Sequence, residues 1–304
     1  MPRRVALPME ARAAFRDNYV RPFRLAGSRV RGRLVRLGPE IARILDRHAY
    51  PDVAALALGE SLAIAAALAQ SLKADGVFTL QVEGNGPVHR LVADLDTTGL
   101  MRGFAGFEGE ASPPGSSPLG MGYLAFTFDP TDGGERYQGV VELAAGGLAP
   151  SVLHYFHQSE QIDTCLASAC GRRGGAWRAA ALMLQRLPKD QDQPEDQEEL
   201  WTRLGHYMQT VGPDELLDPA LPGDALLLRL FHRDELRVDP ALPLRDGCRC
   251  GGRARMETVL RALSAKDMDE MCREDGSLEM VCQFCGRAEA FSAVEAVALT
   301  GMSD

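Results

Sequence analysis

Four of the seven cysteines in this 304-residue chain form one C-terminal pattern: Cys248-Arg-Cys250, thirty-one residues, then Cys282-Gln-Phe-Cys285. Two close thiol pairs flanking one small module have the spacing of a tetrahedral Cys₄ zinc site, in which each pair supplies two ligands from a tight turn. Gly286, directly after the second pair, lets the chain turn back so that backbone amides can face the sulfurs. The C-x-C pair is less usual. Its two thiolates repel one another without a cation, and with an oxidant they can close into a small, strained disulfide. The spacing therefore predicts one Zn²⁺ per chain, held by Cys248, Cys250, Cys282 and Cys285 in the reduced state, in a site that is also redox-sensitive. A purely structural Cys₄ site is the plainer alternative on spacing alone. Thioredoxin-like catalysis by Cys282 and Cys285 is disfavoured, because the pair follows no strand-to-helix start of a βαβ unit.

At 33.0 kDa with 45% hydrophobic residues the chain can bury a real core and is expected to make two domains. No run of about 20 consecutive apolar residues occurs. The nearest, Val53 to Leu72, is alanine-rich but interrupted by Glu60, Ser61 and Gln70, and reads as a buried helix. Met1 to Arg16 carries arginines but no apolar core or small-residue cleavage site, so no secretory signal is expected. A reducing, cytoplasmic location follows from thiols available as ligands, since seven is an odd count for a disulfide framework.

Charge is uneven. Residues 1–48 hold twelve arginines against Glu10, Asp17, Glu40 and Asp46, a net of +8, so the remainder of a chain whose total is −9 carries −17. Such a strip can contact phosphates or acidic partners. The alternative is a strand pair over Arg29–Leu37, with Val30, Leu34, Val35 and Leu37 near the core and the arginines in water. A pI of 5.3 favours that alternative over a dedicated nucleic-acid binder.

Pro39 to His48 reads as a short helix, and a second, alanine-rich helix runs to about Lys73. From Val77 the period changes to two, and Gly84-Asn85-Gly86-Pro87 turns the chain into Val88–Leu95 as a hairpin. Those glycines open no helix and lack phosphate-loop order, so a turn is expected. Met101 to Pro118 reads as a loop, after which Gly122–Phe128 and Tyr137–Leu143 resume strand patterning. Tyr155 to Thr164 reads as helical; His157 and Ser159, two apart, would not face each other, so packing and capping are expected there rather than hydrolase chemistry. Cys165 and Cys170 read as small, buried or half-buried side chains. The first, α/β domain is expected to span 1–187.

Residues 188–245 form a different region. It opens with a solvated acidic hinge over Pro188–Glu199. Leu200, Leu204, Met208 and Val211 then recur at helical spacing, and Leu226, Leu227, Leu230 and Phe231 mark another helix. These proline-punctuated helices are too short to be stable alone and must dock on something, which makes the region a conditional element. The third domain, 246–304, is expected to hold helices over Met256–Leu263 and Asp267–Arg273, with Ser264 as N-cap of the second. A strand over Leu278–Val281 and a final helix capped by Ser292 and Glu295 complete it. Fewer than sixty residues build little core, so zinc would hold it together, at roughly 10–16 kcal/mol in small zinc peptides.

The cysteine pattern, with Arg273-Glu-Asp-Gly276 ahead of its second pair and Phe291 after it, resembles the heat shock protein 33 family. Leu58-Gly59-Glu60, Thr79-Leu80-Gln81 with Gly84-Asn85-Gly86-Pro87, Tyr137-Gln-Gly-Val-Val141, and Tyr155-Phe156 with Ser159-Glu160-Gln161 are similar to that family's motifs in the same order. The resemblance covers roughly Asp17 to Leu299. It departs at Asp163, where the family usually shows proline, and this chain adds Cys272 and an N-terminal extension.

What the resemblance implies is an α+β protein with an N-terminal sheet-and-helix domain, a short-helix linker and a small Cys₄ zinc module. It would be no enzyme but an ATP-independent holdase chaperone, inactive when reduced and zinc-bound and active once oxidised. Proximity and resemblance agree on disulfides between Cys248 and Cys250 and between Cys282 and Cys285, with Cys272 a free thiol outside the switch. Loss of zinc and unfolding of the linker would expose Leu200, Leu204, Met208, Leu226, Leu227 and Leu230 to unfolded or oxidatively damaged client proteins. The resemblance further implies a homodimer when oxidised, hand-over of clients to ATP-dependent chaperones, and no membrane partner. The rival is a zinc-ribbon nucleic-acid-binding protein, for which the module offers few exposed basic and aromatic residues. No Walker motif, nucleophile elbow or H-E-x-x-H motif speaks for an enzyme.

Overall fold

The computed structural model describes residues 17–69, 74–109, 117–188, 197–263, 267, 271–273 and 275–300. The readings made for Met1–Arg16, for the helix end at 70–73, for most of the acidic hinge, for the Ser264 cap and for residues 268–270 of the helix over 267–273 lie outside them. The chain forms two units, Met1–Asp246 and Gly247–Asp304.

The first unit is layered around one helix. Helix α1 spans Pro39–Leu45, its proline sitting at the first helical positions where no N–H is missed. Helix α2 spans Asp52–Ala69 and is buried on nearly every side. A helix apolar all round must be covered all round. By length and composition α2 would also cross a membrane, but 78% of it is buried within the protein. Its alanines let two sheets close on it.

One sheet runs β10-β1-β2-β9-β8, with β11 also pairing β1; its strands are β1 (Tyr19–Leu25), β2 (Val30–Leu37), β8 (Asp163–Arg173), β9 (Ala176–Arg186), β10 (Leu236–Val238) and β11 (Leu242–Pro243). The other runs β12-β5-β4-β3-β6-β7, from β3 (Gly76–Gly84), β4 (Arg90–Asp96), β5 (Leu100–Gly106), β6 (Gly122–Pro130), β7 (Tyr137–Glu142) and β12 (Arg245–Asp246). All pairings are antiparallel except β12 with β5. Helix α2 packs on both sheets, and the cluster it centres includes Leu58, Leu62, Ile64, Leu80, Leu91 and Met183.

Helix α3 (Leu148–Tyr155) passes into a π turn, Phe156–Glu160, ended by Gln161 in the left-handed region. Beyond β9 come α4 (Gln197–Gln209), α5 (Pro213–Leu217) and α6 (Gly223–Phe231). These helices cover the face of the first sheet opposite α2, in a second cluster containing Phe23, Leu34, Leu182, Leu204, Leu227 and Phe231.

Three sequence expectations need correction. The loop expected over Met101–Pro118 begins as strand β5, in which Met101, Gly103 and Ala105 are buried and alternate with half-buried neighbours. Gly103, in that stretch, serves packing: a Cβ on it would sit 3.0 Å from Leu58 and Leu62 of α2. The helical reading of Tyr155–Thr164 holds only through the π turn, since Asp163 already opens β8; His157 and Ser159 are exposed.

Arg29–Leu37, expected as a strand pair with its arginines in water, contributes the single strand β2. There Val30, Leu34, Val35 and Leu37 are buried as expected, but so are Arg33 and Arg36. A strand covered on both faces cannot send its polar side chains to solvent. Arg33 donates to the Gln185 side chain at 3.2 Å, and burial draws its pKa down to about 10.

The second unit comprises α7 (Arg253–Leu260), a hairpin of β13 (Leu278–Val281) and β14 (Ala288–Phe291), and α8 (Ala293–Thr300). Ser292 and Glu295 form the expected reciprocal cap: the Ser292 N–H donates to the Glu295 carboxylate and the Glu295 N–H to the Ser292 hydroxyl.

Candidate metal centre and linker surface

The four cysteines lie in two turns. Cys248 and Cys250 run into Gly251 and Gly252, both at positive φ (68° and 61°), a conformation L side chains rarely adopt. Cys282 and Cys285 form the turn of the β13–β14 hairpin. The Cys282 N–H donates to the Arg287 carbonyl at 2.9 Å and the Gly286 N–H to the Cys282 carbonyl at 2.8 Å, with Gly286 at φ 68°.

These turns bring one sulfur from each cysteine within 4.8 Å of all the others. The Cys248 and Cys282 sulfurs are 3.7 Å apart and those of Cys250 and Cys285 3.8 Å apart. A disulfide would need about 2.05 Å. The edge of a sulfur tetrahedron with metal–sulfur bonds of about 2.3 Å is about 3.8 Å, so the donor set fits a tetrahedral thiolate metal such as zinc. Among the thiols themselves the protons are held unequally. A hydrogen bond from the Gly252 amide draws Cys250 down to about 7, while burial pushes Cys248 up to about 12 and also raises Cys285. One thiolate is therefore ready near neutral pH to take the first bond to a cation, whose charge then favours ionisation of its neighbours.

Among the described residues the buried cluster of this unit is small: Met256, Leu260, Leu278, Phe291 and Ala296. Cys272 packs at the edge of that cluster and is not among the four gathered sulfurs. Cys165 and Cys170 are half-buried in the first unit, on opposite faces of β8: Cys165 against the cluster under α4–α6, Cys170 against the cluster around α2.

The leucines singled out from the sequence lie together on the first sheet. Leu204, Leu226 and Leu227 are fully buried and Met208 nearly so, while Leu200 and Leu230 pack partly buried at the edge. What the sequence reading missed is the surface beneath them. It is supplied largely by the β8–β9 hairpin, two eleven-residue strands. Gly174-Gly175 between two apolar runs, now seen at φ 59° and 82°, was an available hairpin signal.

Also missed were the arginines that meet the linker. Arg36 of β2, only 2% exposed, donates to the backbone carbonyls of Leu221 (3.1 Å) and Asp218 (2.5 Å). Another unpredicted group is Tyr137, Tyr155 and Glu160, in which the Tyr155 hydroxyl donates to the Glu160 carboxylate at 2.7 Å and the Tyr137 hydroxyl, donating to the same carboxylate, ties the π turn to β7. At its far end the first unit closes on Asp246, which pairs with Arg47 and whose N–H donates to Glu40 at 2.8 Å. Cys248 follows two residues later.

A family model described as Hsp33 protein matches residues 18–292. The 33 kDa chaperonin of Caulobacter vibrioides is 37% identical over 284 residues, covering 89% of this chain and 93% of that protein. The 33 kDa chaperonin of Pectobacterium carotovorum is 36% identical over 268 residues, covering 88% and 90%. Among solved structures, that of the 33 kDa chaperonin (heat shock protein 33 homolog) of Thermotoga maritima superposes with a TM-score of 0.79 over 93% of this chain and 98% of that one. At 23% identity the last comparison speaks to fold alone.

Proposed function

The chain belongs to the Hsp33 family, and from that premise we propose that it is a redox-regulated, ATP-independent holdase, silent while reduced and zinc-bound and active once its four clustered cysteines are oxidised. The observation that carries this reading is the Cys₄ cluster itself, sulfurs spaced as a zinc tetrahedron in a unit whose buried core, among the described residues, is five side chains. Zn²⁺ in that site would keep four thiolates deprotonated and supply most of the folding energy of residues 247–304.

Deprotonated sulfur is the form that peroxide attacks. One thiolate takes an oxygen from hydrogen peroxide to give a sulfenic acid and releases hydroxide; a second thiolate then displaces hydroxide from it to close a disulfide. Pairing Cys248 with Cys250 and Cys282 with Cys285 uses the near neighbours of each turn and leaves Cys272 free. Each disulfide removes two ligands, so the second unit loses what stabilises it. Its unfolding reaches back along the chain to Asp246, then to β11 and β10, whose pairing with β1 closes off the linker. Released α4–α6 helices and the sheet face beneath them then offer Leu200, Leu204, Met208, Leu226, Leu227 and Leu230 to unfolded clients.

In this reading the oxidised protein acts as a homodimer and passes its clients to ATP-dependent chaperones in the cytoplasm. The chaperonin names of the relatives favour client binding over the nucleic-acid-binding alternative. The test is aggregation of a heat-denatured client, followed by light scattering, with the zinc-reduced and the peroxide-treated protein. Suppression by the oxidised form alone is expected; equal activity of both forms would end the proposal of a switch.

A further inference from the structure

We propose that the linker-facing side of the first sheet selects client segments that are both apolar and acidic, the linker being an internal stand-in for such a segment. This rests on the holdase reading above.

Alternation along each strand defines the face. Phe23 and Leu25 of β1, Leu34 of β2, Leu182 and Leu184 of β9 and Ala169 of β8 all belong to the cluster under the linker. By the period of two, Arg21, Arg36, Arg186 and Arg173 lie on that same face, together with a second β9 arginine, Arg178, which pairs with Asp17.

The first four of these meet the linker. Arg21 reaches the Asp224 carboxylate at 3.1 Å, Arg173 reaches Asp214 at 2.7 Å, and Arg186 reaches Glu198 at 2.6 Å while its guanidinium lies over the Trp201 ring. Arg36 takes the Leu221 and Asp218 carbonyls. The occupant is correspondingly acidic: residues 197–235 hold eight carboxylates against three arginines.

Stability does not explain this arrangement. Asp214 is 97% and Glu198 75% exposed, and ion pairs so open to water add little to folding. Their effect is on which chain fits the face. When the linker leaves, Arg36 keeps the Asp17 carboxylate at 3.9 Å but loses both carbonyl acceptors, and a client carboxylate replaces them with stronger, charge-assisted hydrogen bonds. An amphipathic segment with apolar residues at helical spacing and carboxylates at its flanks satisfies the leucine-rich surface and the arginines together, as α4–α6 do.

The experiment uses the full chain, zinc-reduced and peroxide-oxidised, and two labelled synthetic peptides with one apolar helical pattern, the polar positions all glutamate in one and all lysine in the other. Fluorescence anisotropy of the oxidised protein should show the glutamate peptide bound at least about fivefold tighter, about 1 kcal/mol, with the difference shrinking as salt rises. R173A/R186A should narrow the preference, and R173K/R186K should retain it; the lysine pair keeps the test valid should the alanine pair fail to fold. Equal binding of the two peptides by an oxidised protein that does suppress client aggregation overturns the charge selection alone. An oxidised protein that protects no client overturns the holdase reading and this inference with it.

Discussion

Gly223, at the start of α6, rests directly against Tyr19 of β1: a Cβ built on the glycine would lie 2.1 Å from the tyrosine hydroxyl oxygen and 2.8 Å from a Leu34 methyl. Tyr19 is buried to 2% exposure, so its ring has no free space to yield into. Gly223→Ala should therefore lift α6 from the sheet at a cost of about 1–3 kcal/mol. Cys165 reports the result, because it lies under the linker. Its alkylation rate in the reduced, zinc-loaded protein should rise about fivefold or more, while Cys170, on the opposite face of β8, stays as protected as in the parent. Tyr19→Phe in the same chain should recover part of the loss. An unchanged Cys165 rate would show that α6 does not hold the linker down.

Leu204 and Leu227 are fully buried between linker and sheet. Leu204→Ala or Leu227→Ala should cost about 2–5 kcal/mol, a large share of what a short docked helix has to lose. Partial suppression of client aggregation is expected without any oxidant, with hydrogen exchange opening over 197–231 while 248–285 remains protected. Variants silent until oxidised would make the linker a passive tether and leave the zinc module as the sole gate.

One zinc per chain is expected by elemental analysis of the reduced protein, because only Cys248, Cys250, Cys282 and Cys285 gather at bonding geometry among the described residues. Cys282→Ser should lose the metal and leave the region after Gly247 open to protease. Serine at Cys165 or Cys170 should leave the stoichiometry untouched. Full zinc in Cys282→Ser would refute the ligand set.

Glu60 sits on α2 with its carboxylate accepting from the Ser168 hydroxyl at 2.6 Å. Burial raises its pKa, more than the Ser168 hydrogen bond lowers it. The folded protein therefore binds this proton more tightly than the unfolded chain does, and stability falls as pH rises from the unfolded to the folded pKa of the group. Glu60→Gln keeps the contact with Ser168 without the charge. Urea midpoints at pH 4 should match the parent, whereas at pH 7.5 the variant should be the more stable. A variant that is less stable at pH 7.5 would mean that the ionised carboxylate is needed in the fold.

The elements legible in the sequence were those whose reason is local. Alanine-rich α2, the β3–β4 hairpin around Gly84–Pro87, the Ser292–Glu295 cap and the two thiol pairs each carry their signal within a few residues, because capping, turning and ligand pairing are short-range. Spacing also sufficed to name the four cysteines, since a metal accepts few geometries.

The burial of Arg33 and Arg36 was not legible, nor was the strand character of β5 or the place of Arg21, Arg173 and Arg186. Each of these depends on what covers a residue from a distant part of the chain. Arg36 reads as a surface residue until residues 218 and 221 arrive to accept its hydrogen bonds, some 180 positions later. Gly103 reads as a loop residue until Leu58 and Leu62 close on it. Sequence fixes local conformation and the kinds of side chain on offer; which of those side chains lose water is decided by the packing of sheets and helices, because desolvation belongs to a contact between segments and to neither segment alone.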